Sequence, residues 1–245
     1  MPVVLRRPAA TLVCVAVTLS ATACSPHLGD LPQAEILGRA IRATESAKSV
    51  TVHTDALSWG TPMKGHLSHD SRGNCTATMS YGPAGTAEMI MIDNKDVYLR
   101  RDEALLRMQE RHRSPKDLEA LIEDLRGRWT KPPLDGPDAP DELALCGGKR
   151  TPGEERTPTG LENGWDDASA KAEATTIDGQ KALKLAKPVG SDGETTTVYI
   201  AAEGPPYLLK IVNTRGEMPG TTTYSRYNRP VEAKAPQAKD VVVTD

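Results

Sequence analysis

The sequence contains no phenylalanine, and aromatic residues make up only 4% of its 245 positions. It also has little excess charge, because 30 Lys and Arg face 33 Asp and Glu, and no basic patch stands out. Proteins that bind nucleic acid carry such patches, so the sequence argues against nucleic acid as a partner. Disordered chains combine few apolar residues with a large net charge, whereas this chain is 38% apolar and predicts a folded, water-soluble protein.

Long apolar runs are missing except for one at the N terminus. Residues 1–8 carry two arginines and no acid, residues 12–19 are almost wholly apolar, and small residues at 21–23 precede Cys24. This order predicts an export signal over residues 1–23. Its apolar core has roughly a dozen residues, fewer than the about 20 that a helix needs to cross a bilayer, so we expect the signal to be cleaved.

Cys24 allows two interpretations. Small residues followed by Cys resemble a bacterial lipoprotein box, in which the cysteine becomes the mature N terminus and receives acyl chains such as palmitate. The Ala-x-Ala at 21–23 also suits ordinary signal peptidase, and Ala21 stands where the box prefers Leu. We favour a lipid anchor at Cys24 followed by a tether over 24–33, because export signals rarely end at Cys by chance. The expected location is extracytoplasmic, on the outer face of the cell membrane.

Few cysteines remain for the folded part. Cys14 leaves with the signal and Cys24 carries lipid, which leaves Cys75 and Cys146. Two remaining cysteines in an oxidising exterior most often pair, so we predict a disulfide, worth on the order of 4 kcal/mol in the chain-entropy model. Two cysteines without a nearby histidine do not make a tetrahedral metal site, and we predict no metal and no other cofactor.

Three helices are predicted. Asp30 and Pro32 open the first, whose apolar residues recur at three- and four-residue spacing up to position 47. The second covers residues 102–112. The third has Ser114 as its N-cap, proline at the first helical position, and a stop at Gly127.

The remaining segments have the pattern of an antiparallel sheet. Polar and apolar residues alternate from position 50, and turn residues at 71–74, 93–96 and 178–179 indicate hairpins. With a last strand at 231–233, the pattern predicts about ten strands and an α+β fold with helices on one face. We expect residues 34–245 to form a single domain that includes a mobile, Pro-rich connection near 131–171.

The strand at 88–92 breaks the alternation. Four apolar residues in succession place large side chains on both faces of the sheet, so both faces must be covered. Two explanations remain open. The strand is either central and covered by protein on both sides, or one of its faces lines a hollow for an apolar ligand, to which flexible methionines are suited.

The order of these segments resembles a known family. The resemblance lies in an N-terminal helix, a meander ending at 96–99 (DVYL), a helical insertion closed by 128–131 (RWTK), and later motifs at 178–180 (DGQ), 197–200 (TVYI), 205–210 (PPYLLK) and 227–231 (YNRPV). The chain thereby resembles actinobacterial envelope lipoproteins, which look like the LppX/LprG and LolA/LolB superfamily. This resemblance implies a curved antiparallel half-barrel with helices packed on its concave face. It also implies an apolar cavity between the two, which in relatives holds lipid or acylated glycolipid.

Catalytic motifs are missing from the sequence. It has no Gly-x-Ser-x-Gly elbow, no phosphate-binding glycine loop and no His-Glu-x-x-His. His66 and His69 are three residues apart, so on a strand they would point to opposite faces, and His53 takes a polar position of its strand. We therefore predict that the protein is not an enzyme.

Two functions of different class remain. The first is binding or carrying a lipid, glycolipid or other apolar ligand in the cavity. Strand parity and helix face select its lining residues: Met89, Met91, Val97, Leu99, Leu105, Leu121 and Leu125. The second is an envelope sensor or protein-interaction module with a filled core, whose acidic surface meets another envelope protein. The space between the helices and the sheet distinguishes the two functions.

Overall fold

The computed structural model describes residues 27–136, 139–146, 161, 165, 171–187, 193–216 and 218–242. These residues form an α+β fold in which one large, open, curled sheet carries helices on one face. Their three α-helices are α1 (Gln33–Glu45), α2 (Glu103–Gln109) and α3 (Pro115–Leu125). None of the described helices is long and apolar enough to cross a membrane.

Twelve strands make up the sheet. They are β1 (Ser49–Ser58), β2 (Thr61–Asp70), β3 (Cys75–Ser80), β4 (Thr86–Ile92), β5 (Asp96–Arg101), β6 (Trp129–Thr130), β7 (Glu173–Ile177), β8 (Gln180–Ala186), β9 (Thr196–Ala201), β10 (Leu208–Asn213), β11 (Gly220–Ser225) and β12 (Val241–Val242). β6 and β12 are only two residues long, which explains why a pattern-based count stops at about ten.

The strands are ordered β12-β6-β5-β4-β3-β2-β1-β11-β10-β9-β8-β7. Neighbouring strands are antiparallel except for β12 and β6, which run parallel. The centre of the sheet joins distant parts of the chain, because Thr51 in β1 pairs with Ser225 in β11. The meander β1 to β6 and the meander β7 to β11 therefore form one continuous surface.

Alternation along the strands gives the sheet two different faces. On the inner face, which the helices cover, Val52 lies opposite Leu67, and Met89 lies opposite Leu99. On the outer face His53 lies opposite His66. Successive side chains of a strand point to opposite faces, so the alternating sequence places apolar residues on the inner face and polar residues on the outer face.

The inner face carries two packed clusters. In the first cluster Ile36, Leu37 and Ala40 of α1 pack against β8, β9 and β10, with Leu185 and Ile200 fully buried. The second cluster lies over β3, β4 and β5 beneath α2, and the segment that contains Cys146 is part of it. One cluster covers the inner face of β8, β9 and β10 and the other covers that of β3, β4 and β5, and β1, β2 and β11 lie between them.

The start of the described chain also packs against the first cluster. Leu28 and Leu31 contact it, and Gln33, the first residue of α1, is buried. Its side-chain amide donates a hydrogen bond to the Lys171 carbonyl at 3.0 Å. The described part of the predicted tether, from residue 27, thus lies against the fold.

A long segment that belongs to no strand follows β11 and ends in a short 3-10 helix (Ala238–Asp240). We call residues 226–240 the C-terminal strap, because they run from β11, at the centre of the sheet, to β12 beside β6. The Asn228 amide donates to the Ser49 carbonyl at 2.9 Å, and Ser49 Oγ donates to the Arg229 carbonyl. The predicted strand at 231–233 is wrong, because these residues belong to the strap and pair with no neighbour as a strand.

Candidate functional site

Five of the seven residues predicted to line a cavity lie together in the second cluster. Each is at most 2% exposed, and the five are Met89, Met91, Val97, Leu99 and Leu105. The β4–β5 register places Met89 opposite Leu99 and Met91 opposite Val97. The hairpin turn that fixes this register has Asp93 and Asn94 in the left-handed region, which these two residue types tolerate.

Leu105 reaches the cluster through the start of α2. Asp102 is the N-cap of this helix, and its Oδ1 accepts a hydrogen bond from the Leu105 amide at 2.9 Å. Its Oδ2 accepts from the Thr86 amide of β4 at 2.8 Å. One carboxylate therefore both begins the helix and joins it to the sheet.

The other two predicted lining residues are on α3. Leu121 and Leu125 are half-buried, whereas the buried residue of this helix is Ile122 at 2% exposure. A space beside Leu99, Leu106 and Leu125 has a volume of about 10 Å³, which is roughly the room of one water molecule. At this point the helices pack directly on the sheet.

The disulfide between Cys75 and Cys146 is present in the second cluster. It joins β3 to a short 3-10 helix (Asp141–Cys146), with a Cα–Cα distance of 5.7 Å. Cys75 lies opposite Met91 in the register, and Leu143 is buried against the same cluster. The crosslink thereby fastens the 3-10 helix over the predicted lining residues.

A buried ion pair accompanies the crosslink. The Arg101 guanidinium donates to both carboxylate oxygens of Glu142, at 3.1 and 3.2 Å, and Gln109 donates to Oε1 at 3.3 Å. Burial alone would favour the neutral acid, but the hydrogen bonds and charge of Arg101, with help from Gln109, hold the Glu142 pKa below its ordinary value. Glu142 is therefore ionised inside the fold, a feature that the sequence pattern did not reveal.

Between the two clusters, the inner face of the central strands is less covered. Val52 lies opposite both Leu67 and Tyr224, and all three side chains are only half-buried by the described residues. Leu67 touches the second cluster and Tyr224 touches the first. Burial raises the pKa of the Tyr224 hydroxyl well above its ordinary value, so the phenol stays neutral. We call Val52, Leu67 and Tyr224 the central strip.

The alternation of side chains along β1 predicted part of the central strip. The alternation from position 50 already places Val52 on an apolar face. The sequence pattern did not reveal which strands lie beside it, because Tyr224 comes from the far end of the chain. The central strip therefore became visible only with the β1–β11 pairing.

The three histidines of β1 and β2 occupy both faces of the sheet. His66 and His53 meet on the outer face, with ring centroids 4.2 Å apart, whereas His69 pairs in register with Val50 and Cys75 and so lies on the inner face. No group of three or more His, Cys, Asp or Glu within the described ranges could hold a metal ion. The predicted signal, Cys24 and most of the connection near 131–171 lie outside the described residues.

Comparison with known proteins gives matches at the level of structure. LppX of Mycobacterium tuberculosis, a lipoprotein, aligns over 82% of this chain and 98% of its own, with 14% identity and a TM-score of 0.48. LprF of Mycobacterium bovis aligns over 83% and 96%, with 14% identity and a TM-score of 0.45. An uncharacterized conserved protein of Thermus thermophilus aligns over 86% and 98%, with 11% identity and a TM-score of 0.37.

LppX and LprF are structural neighbours from the lipoprotein family that the sequence motifs resemble. No protein-family model and no curated protein sequence matches the chain.

Proposed function

We propose that this protein is an exported lipoprotein, anchored to the outer face of the cell membrane through acylated Cys24. There it binds or carries a lipid or other apolar ligand between the sheet and the helices. The ligand lies along the central strip, and Met89, Met91, Val97, Leu99 and Leu105 form the wall on one side. Leu121 and Leu125, half-buried on α3, would complete this wall once α3 moves away from the sheet, because the space beside Leu125 is about 10 Å³ in the packed arrangement.

The observation that carries this proposal is the uneven burial of the inner face. Both clusters are closely packed, whereas the apolar side chains of the central strip between them are half-buried by the described residues. Exposed apolar surface in a concave region is typical of ligand-binding sites. Each methylene group removed from water there contributes about 0.8 kcal/mol, so a single acyl chain would bind measurably.

The test is ligand recovery from the purified protein. Native mass spectrometry of the protein extracted from membranes is expected to show a bound lipid, and a fluorescent fatty acid is expected to gain intensity on binding. Leu67→Trp fills the central strip and should lower uptake at least several-fold. Lys210→Trp places the same side chain on the outer face and should leave uptake unchanged, since Lys210 pairs with Thr223 on the polar side of β11.

A protein with no co-purifying lipid and no fatty-acid uptake would contradict the proposal. Equal uptake by the Leu67 and Lys210 variants would place the ligand elsewhere. The anchor is tested separately by mass spectrometry of the mature N terminus, where an unmodified Cys24 would exclude lipidation.

A second candidate function is an envelope sensor or protein-interaction module that binds no ligand. The close packing of α3 on the sheet, with about 10 Å³ of space, favours it at that place. Crosslinking in the membrane fraction separates the two functions, because a module is expected to yield a fixed protein partner and a carrier is expected to yield lipid.

A further inference from the structure

A polar groove lies on the opposite face of the sheet from the central strip. It has a volume of about 290 Å³ and opens between the C-terminal strap and the outer face of β1, β2 and β3. The polar side chains that line it come from distant parts of the chain: Ser49, Thr51, His66, Ser68, Thr76, Arg226, Arg229 and Glu232. We call this space the strap groove.

The two arginines of the strap groove differ from most arginines in the described part of the chain. Carboxylates lie within 4.0 Å of eight others, namely Arg39, Arg72, Arg100, Arg101, Arg107, Arg113, Arg126 and Arg128. Among the described residues, neither Arg226 nor Arg229 has such a partner. Glu232 is the only acid that lines the groove, and its carboxylate lies 3.5 Å from Lys234. The lining of the groove therefore carries a net positive charge, with two arginines against one carboxylate.

The backbone that carries the two arginines is fixed. Arg226 and Asn228 both adopt left-handed conformations, and the Arg229 amide donates to the Arg226 carbonyl at 3.2 Å. Asn228 Oδ1 accepts from the Lys48 amide at 2.8 Å, and its Nδ2 donates to the Tyr207 hydroxyl at 2.9 Å. This turn fixes the Cα positions of both arginines beside the groove, so only their side chains have to be ordered when a ligand binds.

The floor of the groove supplies hydroxyl donors. Thr51 and Ser68 are hydrogen-bonded to each other at 2.8 Å, and because each hydroxyl has one hydrogen, the hydroxyl that accepts in this pair can still donate to a third group. Thr76 lies beside Ser68 in the β2–β3 register. Guanidinium groups above and hydroxyl groups below form the donor set that phosphate oxygens require, and arginine in particular binds phosphate in a bidentate manner.

We propose that the strap groove is a binding site for a phosphate group, carried by a phosphate ester whose remaining part bears hydroxyl groups. Arg226 and Arg229 bind the phosphate oxygens. From the floor, Thr76 donates, together with whichever of Thr51 and Ser68 accepts in their mutual hydrogen bond. His66 also lines a second groove of about 400 Å³, whose walls include Thr78, Ser80, Thr221 and Thr223. The hydroxyl-bearing part of the ligand extends into this second groove.

The electrostatics of His66 agree with this geometry. Partial burial, the neighbouring His53 and the charge of Arg226 together lower the His66 pKa below its ordinary value. The last two of these causes are nearby cationic groups, which agrees with the net positive charge of the lining. A bound phosphate would offset that charge, so the His66 pKa is expected to rise on binding.

The test follows the His66 ring by NMR while the purified protein is titrated with inorganic phosphate, with chloride at matched ionic strength as the reference. Phosphate is expected to move the His66 signal and raise its pKa. Arg226→Gln and Arg229→Gln should each weaken phosphate binding by about tenfold or more, because each removes one charged donor pair. Arg226→Lys, which keeps the charge without the bidentate geometry, should retain part of the affinity.

Arg111→Gln is the matched control. Arg111 is an exposed arginine at the end of α2 that contacts Met108, so this variant makes the same charge change far from the groove and should bind phosphate normally. Thermal unfolding of each variant verifies that the fold is intact. The proposal fails if phosphate leaves His66 unmoved, or if the two groove variants bind as well as the Arg111 variant does.

Two further ligands identify the source of the phosphate. Glycerol 3-phosphate represents soluble phosphate esters, and short-chain phosphatidylglycerol below its micelle concentration represents a lipid head group without involving the membrane anchor. Tighter binding of either ligand than of inorganic phosphate supports the site and assigns its source. Because the groove and the central strip lie on opposite faces, the fatty-acid measurements are independent of this outcome.

Discussion

At the scale of single residues, the contact between α2 and the sheet depends on the space around Asp102. Its carboxylate accepts hydrogen bonds from the amides of Thr86 and Leu105, and Gly85 lies directly beside it. Gly85 has a φ of +113°, and a Cβ at this position would clash with the Asp102 carboxylate and the Leu105 amide. Glycine is required here for both its backbone conformation and its small volume.

Gly85→Ala is expected to lower the free energy of unfolding by about 2–4 kcal/mol, because it adds backbone strain and displaces the helix cap. Gly179→Ala is the control, since Gly179 also has a positive φ but its Cβ would meet nothing within 4 Å. Gly179→Ala should lower the free energy of unfolding by only about 1 kcal/mol, through backbone strain alone. Urea unfolding measures both variants, and equal losses would contradict the steric argument.

The buried Glu142 predicts a dependence of stability on pH. Its pKa is lower in the folded protein than in the unfolded chain, so its contribution is complete above the unfolded value of about 4.3 and is lost as the pH falls through the folded value. Glu142→Gln should lower the free energy of unfolding by about 1–3 kcal/mol at pH 7, and the difference from the unmodified protein should shrink below pH 4.

The control for this prediction is Glu203→Gln. Glu203 pairs with Lys181 at 2.7 Å, but both side chains are about 70% exposed, so the pair should contribute little at any pH. A Glu142 variant whose deficit stayed constant from pH 7 to pH 3 would show that the charge of the residue is not what stabilises the fold.

At the scale of elements, the hairpin between β1 and β2 ends in an unfavourable turn. Trp59 and Gly60 form the two-residue loop with φ values of 51° and 80°, a conformation that favours Asn-Gly. Trp59 is also 76% exposed. A large aromatic residue thus occupies a position that disfavours it both in backbone conformation and in hydration.

Trp59→Asn is expected to raise the free energy of unfolding by about 0.5–1 kcal/mol, because asparagine tolerates a positive φ and leaves less apolar surface in water. Asp178→Asn is the matched control, since the Asp178–Gly179 turn has nearly the same φ values and already carries a favourable residue. Chemical denaturation should show almost no change for the control, and a loss of stability in the Trp59 variant would mean that the ring makes contacts which support the fold.

A turn could be predicted from the sequence when its own residues favour the backbone conformation that it adopts. The turns at 71–74, 93–96 and 178–179 were predicted, because each contains Asn, Asp or Gly, the residues that most readily adopt a positive φ. The Trp59–Gly60 turn was missed, since tryptophan is not a turn residue. α3 was predicted from its N-cap, Ser114, which accepts the Asp117 amide in the structure. α2 was predicted over 102–112, and the structure shows Asp102 to be its N-cap.

At the scale of the whole molecule, stability should decrease from the centre of the sheet toward β6 and β12. β1 and β2 each have ten residues and a partner on both sides, whereas β12 pairs with β6 through two residues only. Amide hydrogen exchange is expected to be slowest in β1 and β2 and faster by orders of magnitude in β12. Equal protection at both places would show that the strap and the sheet unfold as one unit.

Non-local pairing explains what the sequence could not reveal. The apolar face of β4 and β5 was predicted, because parity is local, and Met89 and Leu99 are buried as that parity requires. The pairing of Thr51 with Ser225 has no local signal, and the central strip depends on it. The same is true of the strap groove, since Arg226 and Arg229 acquire neighbours only when the strap crosses β1.

The pairing of β1 with β11 also has a consequence for biogenesis. β1 lies early in the chain and pairs with β11, one of the last strands. If the chain is exported N terminus first, as proposed above, the edge of β1 stays unpaired until residue 225 has left the translocation channel. Slow closure of distant strands prolongs the lifetime of association-prone intermediates. Under the export proposed above, translocation of this chain should therefore depend on holding chaperones more than translocation of a protein whose strands pair in the order of synthesis.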